Sequence, residues 1–389
     1  MELRGVPPCY AYQPAMPDDR FDRLAAQRRV VVCAGAGGVG KTTIAAALSL
    51  AAARRGRRVL CLTIDPARRL ADSLGLSLRP GAEAEVAAEL LAGVGVSAGG
   101  SLSVAMLDPK QTFDDLVARH ASSPAVAQRI LKNQFYQHVS TSLAGTQSYM
   151  AMEKVLGLLK SSRYDLIVLD TPPTSEALDF LDAPERLVET LDSPAMRWLV
   201  QALEPSGGFS MRLIARGVAA LLRTMGRLTG RGFLEDMAAF VGELNELFGG
   251  FKQRASEVSH AFRAPDFAYL LVAAPHPAAV EEARFFAERL RRLGMAADAL
   301  VLNRVHPETT EAADVAALSS LLASRGLAVD AQHIAQAQAD ESARARTEAP
   351  ELAKARKLFS ADRLWLVPVM AGDVRGLADL AKVSRALVG

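Results

Sequence analysis

From Val30 onward, short runs that are apolar at nearly every position alternate with longer segments whose apolar residues recur every three or four places. The short runs are Val30–Cys33, Val59–Ile64, Leu102–Leu107, Tyr164–Asp170, Ala268–Ala274, Ala299–Val305 and Leu364–Val369. A strand with one wet face alternates apolar and polar residues, whereas a strand covered on both faces does not. The pattern therefore predicts an α/β fold, a doubly wound and mostly parallel sheet with helices on both faces. No internal repeat occurs, so a fused duplicate is not expected.

Two stretches break the alternation. From about Pro109 to Ser161 the spacing is helical ahead of the fourth strand. Between about residues 192 and 264 strand signals vanish, and a helical insertion is expected there. Met211, Ile214, Val218, Leu221, Leu222 and Met225 form one stripe, and Met237, Phe240, Val241, Leu244, Leu247, Phe248 and Phe251 another, with Gly226, Gly230 and Gly232 between them. The stripes either pack on each other or line a groove for a hydrophobic client helix, since Met adapts to varied partners. Residues 1–25, punctuated by Pro and charge, read as a loose tail, and 26–389 as the body. Leu377, Leu380, Leu387 and Val388 lie at helical spacing and predict a last helix docked on the sheet.

Composition narrows the classes. The 389 residues carry 45 Lys+Arg against 43 Asp+Glu, with 50% apolar residues. Such a chain has material for a core and is not disordered. Without a clustered basic excess it is not expected to bind nucleic acid. The first residues contain no apolar core of a signal peptide, and Leu90–Leu107, broken by four glycines and three serines, makes a poor membrane span. A cytoplasmic protein is expected. Cys9, Cys33 and Cys61 form no CxxC pair, so neither a disulfide framework nor structural zinc is expected. His276 and His306, each followed by Pro, read as loop residues.

The sharpest chemical signal follows the first strand. Gly35-Ala36-Gly37-Gly38-Val39-Gly40-Lys41-Thr42-Thr43 fits G-x-x-x-x-G-K-[ST] and leads into a helical run. Glycines let backbone N–H groups turn toward phosphates, and the helix adds its positive end. Lys41 reaches the β- and γ-phosphates, and the Thr42 hydroxyl suits Mg²⁺. Two strands end in carboxylates, Asp65 and Asp170, where ligands border doubly wound sheets. Asp170 is placed to bind Mg²⁺ through water. Asp65 is placed to orient or deprotonate an attacking water.

These residues together resemble the arsenical-pump and tail-anchored-protein-targeting ATPases, P-loop NTPases with a deviant phosphate loop. That loop usually reads GKGGVGKTT, followed by a DPAH switch I and a DTxPT switch II. Here GAGGVGKTT, DPARRLADSLGL and DTPPTSEALDFLDAP stand in that order. The resemblance covers about residues 28–389. It implies ATP and Mg²⁺ as ligands, Gly35 to Thr43 around the phosphates, and Asp65 as the catalytic switch I aspartate. LVLNRVHP resembles the adenine-side loop, which makes Asn303 the adenine contact, and WLVPVMAGDVRGL places Pro368 near the base. It also implies a dimer that closes on ATP and opens on hydrolysis, coupled to a membrane-associated or hydrophobic protein client; a peripheral place at the inner membrane stays open.

Three departures qualify this. The family's second loop lysine, which crosses the dimer to the partner's phosphates, is Ala36 here. The chain would then pair with a lysine-bearing paralogue, or form a homodimer in which Arg68 or Arg69 supplies the charge in cis. The interfacial zinc pair is absent. So is the metalloid-binding cysteine cluster, which leaves a pump ATPase without its thiolate site as one alternative. A weakly or non-hydrolysing ATP-binding regulatory subunit is another. A partition ATPase on DNA or membrane is disfavoured by the insertion. Five arginines and no acid between Met211 and Arg231 form either a solvated face or a membrane-surface helix.

Overall fold

The computed structural model describes residues 21–22, 24, 28–64, 70, 74, 76, 78–134, 136–137, 140, 146–173, 181–186, 188–189, 192–194, 253–307 and 314–388. Its centre is one eight-stranded sheet of β1 (Val30–Gly35), β2 (Arg58–Thr63), β3 (Glu83–Glu85), β4 (Ser101–Met106), β5 (Leu166–Asp170), β6 (Phe267–Ala273), β7 (Ala297–Val305) and β8 (Leu364–Pro368). Their order across the sheet is β3-β4-β2-β5-β1-β6-β7-β8. All seven apolar runs become strands, each within about two residues of its predicted ends. The eighth, β3, pairs antiparallel to β4 at the edge. With Glu at both ends and one face wet, it offered no apolar run to read.

Every residue of β1, β5 and β6 is buried, as strands covered on both faces require. Helix α1 (Lys41–Arg54) lies against β1, β2, β4 and β5. Its run of alanines around Ile44, Leu48 and Leu50 is buried on nearly all sides, and small side chains let sheet and helix approach closely. The short α2 (Ala88–Gly93) precedes β4, and α3 (Pro109–His120), α4 (Pro124–Lys132) and α5 (Thr146–Ser161) fill the predicted helical stretch before β5. On the other half of the sheet, α6 (Pro277–Arg292) packs on β1, β6 and β7. Helices α7 (Val315–Ser324) and α8 (Ala331–Leu358) lead to β8, and α9 (Gly376–Val388) ends the described chain. Leu380, Leu387 and Val388 of α9 are buried, and this helix packs on α1 and β8. The expected docking of the last helix is what the fold contains.

Cys33 and Cys61 sit in β1 and β2, both buried with free thiols. Burial pushes both thiols up, Cys61 to about 12, and the nearby Asp170 charge adds to this. They are core residues in character, since a thiolate is disfavoured at either position. Cys9 and the stripes between Met211 and Phe251 lie outside the described residues. So do the arginines from Arg212 to Arg231.

Of the stretch around the insertion, residues 253–262 are helical and face α5. There Arg254 donates to both carboxylate oxygens of Glu153, whose side chain is 1% exposed, and Tyr149 Oη donates to Glu153 Oε1 at 2.8 Å. Breaking a buried pair from one side leaves an uncompensated charge. Arg254→Ala is expected to lower stability by about 3–5 kcal/mol in urea unfolding. The apolar double variant, Glu153→Leu with Arg254→Met, should recover most of that loss.

Candidate functional site

The crevice at the carboxyl ends of β1, β5 and β7 is built around the backbone from Gly35 to Lys41. Strand β1 sits between β5 and β6, so its end has a neighbour on each side. Gly35 faces Val272 in the β1–β6 register. A Cβ on Gly35 would stand 2.0 Å from the Val272 carbonyl oxygen, so only glycine lets the two strands run together to this point. After Gly35 the chain turns through Gly38 and Gly40, with φ of +77° and +91°. Gly40 is the N-cap of α1, and no side chain caps it. The first N–H groups of α1 therefore stay directed at the crevice, the arrangement that suits an anion.

Three carbonyls of this loop are each met by a side chain. Lys41, 8% exposed, donates through Nζ to the Ala36 oxygen at 2.8 Å. Asn303, 6% exposed at the end of β7, donates through Nδ2 to the Val39 oxygen at 2.8 Å. Arg304 donates through a guanidinium nitrogen to the Gly38 oxygen at 3.2 Å. The loop is thus held from within by its own lysine and from outside by β7. Ala36 and Val39 are buried, Gly37 and Gly38 are exposed, and Thr42 and Thr43 are half-buried in the first turn of α1.

Beside the loop lies a hydroxyl–carboxylate cluster. Asp170 is 1% exposed, and its Oδ2 accepts from Thr42 Oγ1 at 2.8 Å and from Thr63 Oγ1 at 3.1 Å. Thr171 Oγ1 donates to the Cys33 carbonyl at 2.8 Å, fixing the β5 end against β1. The cluster brings Thr42 and Asp170 together. Thr63 was not foreseen, because a threonine at the end of an apolar run reads as an ordinary strand residue. Asp65, Arg68 and Arg69 lie outside the described residues. Pro368 ends β8, where it pairs with Val305.

Arg304 is the other residue that sequence reading missed. Its φ is +63°, one of two positive values among the described non-glycine residues. The β7–β8 register slips at the same place, from Asn303 opposite Val367 to Val305 opposite Pro368. Such a backbone costs a non-glycine residue about 1–3 kcal/mol. A strand-end arginine after Asn303 carries no signal of this turn. His306 also departs from a plain loop residue: Glu348 of α8 pairs with its Nδ1 at 2.5 Å and accepts from its backbone N–H at 2.9 Å. This ties the chain just past Arg304 to α8. His276 caps α6 through Nδ1.

A sequence model of the anion-transporting ATPase family matches residues 28–325. The chain belongs to that family. Among curated proteins it is similar to "ATPase get3" of Aspergillus terreus, 32% identical over 164 residues, 42% of this chain and 45% of that protein. It is 29% identical to "ATPase GET3" of Malassezia globosa over 161 residues, 41% of this chain and 44% of that one. With "ATPase GET3" of Podospora anserina it shares 28% over 221 residues, 57% of this chain and 60% of that one. The matched part spans about half the length of these relatives. Within this member of the anion-transporting ATPase family, no helix among the described residues is long and apolar enough to cross a membrane. No group of three or more His, Cys, Asp or Glu among them could hold a metal ion.

Gly40 carries two constraints at once, its positive φ and a Cβ position 2.3 Å from Asn303 Nδ2. Gly40→Ala is expected to destabilise the protein by about 1–3 kcal/mol, measured by denaturant unfolding without added nucleotide.

Proposed function

We propose that this chain is a Mg²⁺-dependent ATPase whose nucleotide state switches a dimer between open and closed forms, and which thereby handles a membrane-associated or hydrophobic protein client in the cytoplasm. The observation that carries this reading is the Gly35–Lys41 loop, with a buried Lys41 and the Thr42–Asp170 pair at its side. The names of the relatives, all ATPases, agree with it.

The residues fit the ligands. Inward N–H groups of Gly37 to Thr43 and the end of α1 would hold the phosphates, with Lys41 moving from the Ala36 carbonyl to an anion that binds a cation more strongly than a neutral acceptor does. A hydroxyl and a carboxylate sharing one contact, Thr42 and Asp170, are the donor set that Mg²⁺ takes beside phosphate, Asp170 through water. The bound ion would neutralise phosphate charge. Asp65 would orient or deprotonate the attacking water. Asn303 and Pro368 at the ends of β7 and β8 would border the adenine, and the guanine-reading NKxD pattern is absent because Asn303 is followed by Arg304, Val305 and His306.

Ala36 gives weight to a second reading. Where the family's trans lysine is lacking, a homodimer has no partner cation for the developing charge, and such cations contribute about 10³–10⁵ in rate in phosphoryl transfer. A heterodimer with a lysine-bearing paralogue, or a regulatory subunit that binds ATP and hydrolyses it slowly, would meet that difficulty.

Calorimetric titration should show Mg·ATP bound more tightly than Mg·GTP, with phosphate-dependent affinity lost in Lys41→Ala; equal or tighter GTP binding would overturn the base assignment. Asp65→Asn keeps the size of the side chain and removes the acceptor charge. It should bind ATP as the wild type does while losing most turnover in a phosphate-release assay. Hydrolysis at the wild-type rate would remove Asp65 from the mechanism.

A further inference from the structure

We propose that Arg304 is a phosphate-contacting cation, supplied to the nucleotide in cis by the chain that carries the phosphate loop. The inference rests on the ATP-binding reading above, and adds to it a residue outside the loop motif.

Four observations converge on this side chain. Its backbone is left-handed at φ +63°, a conformation that favours glycine. An arginine kept there is kept for its side chain or in spite of its backbone. The β7–β8 register steps over it, so it leaves the ladder and is aimed by a bulge, a device that redirects side chains near functional sites. The aim is specific: the guanidinium reaches the Gly38 carbonyl, one residue before the Val39 carbonyl held by Asn303. Finally, Arg304 is exposed, and no carboxylate lies within ion-pair distance of it among the described residues. By contrast, Arg284 and Arg289 of α6 and Arg58 at the start of β2 are paired with Asp or Glu.

An exposed guanidinium without a carboxylate partner among the described residues, fixed at the rim of a loop whose N–H groups suit an anion, has its charge where a polyphosphate would meet it. The Gly38 contact uses one of its five donors, and no other partner is found for the rest among the described residues, which leaves the fork able to take up a phosphate. A Cβ on Gly37 or Gly38 would meet nothing within 4 Å among the described residues, so no described side chain or backbone covers these two positions. Ala36 explains the need. The loop itself provides one cation, Lys41, and Arg304 adds a second without borrowing one from a partner subunit.

The bland account makes Arg304 a staple that only holds the loop. Substitutions separate the two. Arg304→Gly suits the left-handed backbone and removes the cation; Arg304→Gln keeps a donor for Gly38 without charge; Arg304→Lys keeps the charge without the fork. Mg·ATP affinity, by calorimetry, is expected to fall about tenfold or more in Arg304→Gly and Arg304→Gln, the size of one charge-assisted contact. Arg304→Lys, which keeps the charge and loses the fork, should lose less affinity than either of these. The thermal midpoint of Arg304→Gly without nucleotide should equal or exceed that of wild type. Wild-type affinity in Arg304→Gln would identify a staple and overturn the proposal, as would wild-type affinity in Arg304→Gly. If Lys41→Ala loses ATP while both Arg304 variants keep it, this proposal alone fails. If the wild-type chain binds no ATP, the ATPase reading fails and takes the proposal with it.

Discussion

The Ala36, Gly38 and Val39 carbonyls of the Gly35–Lys41 loop take their donors from side chains rather than from a helix or sheet ladder. The rest of the site depends on these contacts. If the carbonyls went unpaired, the loop would turn to satisfy them and its N–H groups would no longer converge. Lys41, Arg304 and Asn303 take the Ala36, Gly38 and Val39 carbonyls in turn. The loop therefore keeps its anion-receiving shape through these contacts, two of them made by residues more than 260 positions away.

Those contacts exist because of the strand order. With β6 next to β1 and β7 next to β6, the end of β7 lies within side-chain reach of the loop after β1. Gly35 makes the first adjacency close, since any side chain there would strike the Val272 carbonyl. The bulge at Arg304 completes the reach on the other side. On the opposite flank β5 brings Asp170 to Thr42, and β2 brings Thr63 to the same carboxylate oxygen. Four strands thus contribute to a site whose motif belongs to one, and local backbone strain at Arg304 is tolerated where the surrounding sheet fixes it.

Two kinds of positive charge meet in this crevice. Lys41 is buried and donates to the Ala36 carbonyl, while Arg304 stands exposed at the rim, and the guanidinium stays charged in any setting. With Ala36 in the loop, one cation thus lies within the loop and one at its rim. His306, paired with Glu348, anchors the segment just beyond Arg304 to α8 and limits how far that rim can swing.

Much of this was legible in the residues themselves. Continuous apolar runs marked seven strands because a sheet covered on both faces excludes polar side chains. The loop motif and Asp170 were readable because phosphate chemistry needs fixed residue types at fixed spacing. The family followed from the same letters. Tertiary structure alone decided the rest. β3 carries charge on an edge and leaves no hydrophobic signature. Thr63 acquires its role from an Asp on another strand. Asn303, which family likeness assigned to the adenine, holds the Val39 carbonyl of the loop. Arg304 follows an ordinary strand end in the sequence, and only the slip between β7 and β8 turns it onto Gly38. Periodicity reports which face of an element is buried; it does not report which element lies beside it, and that neighbour decides what a polar side chain touches.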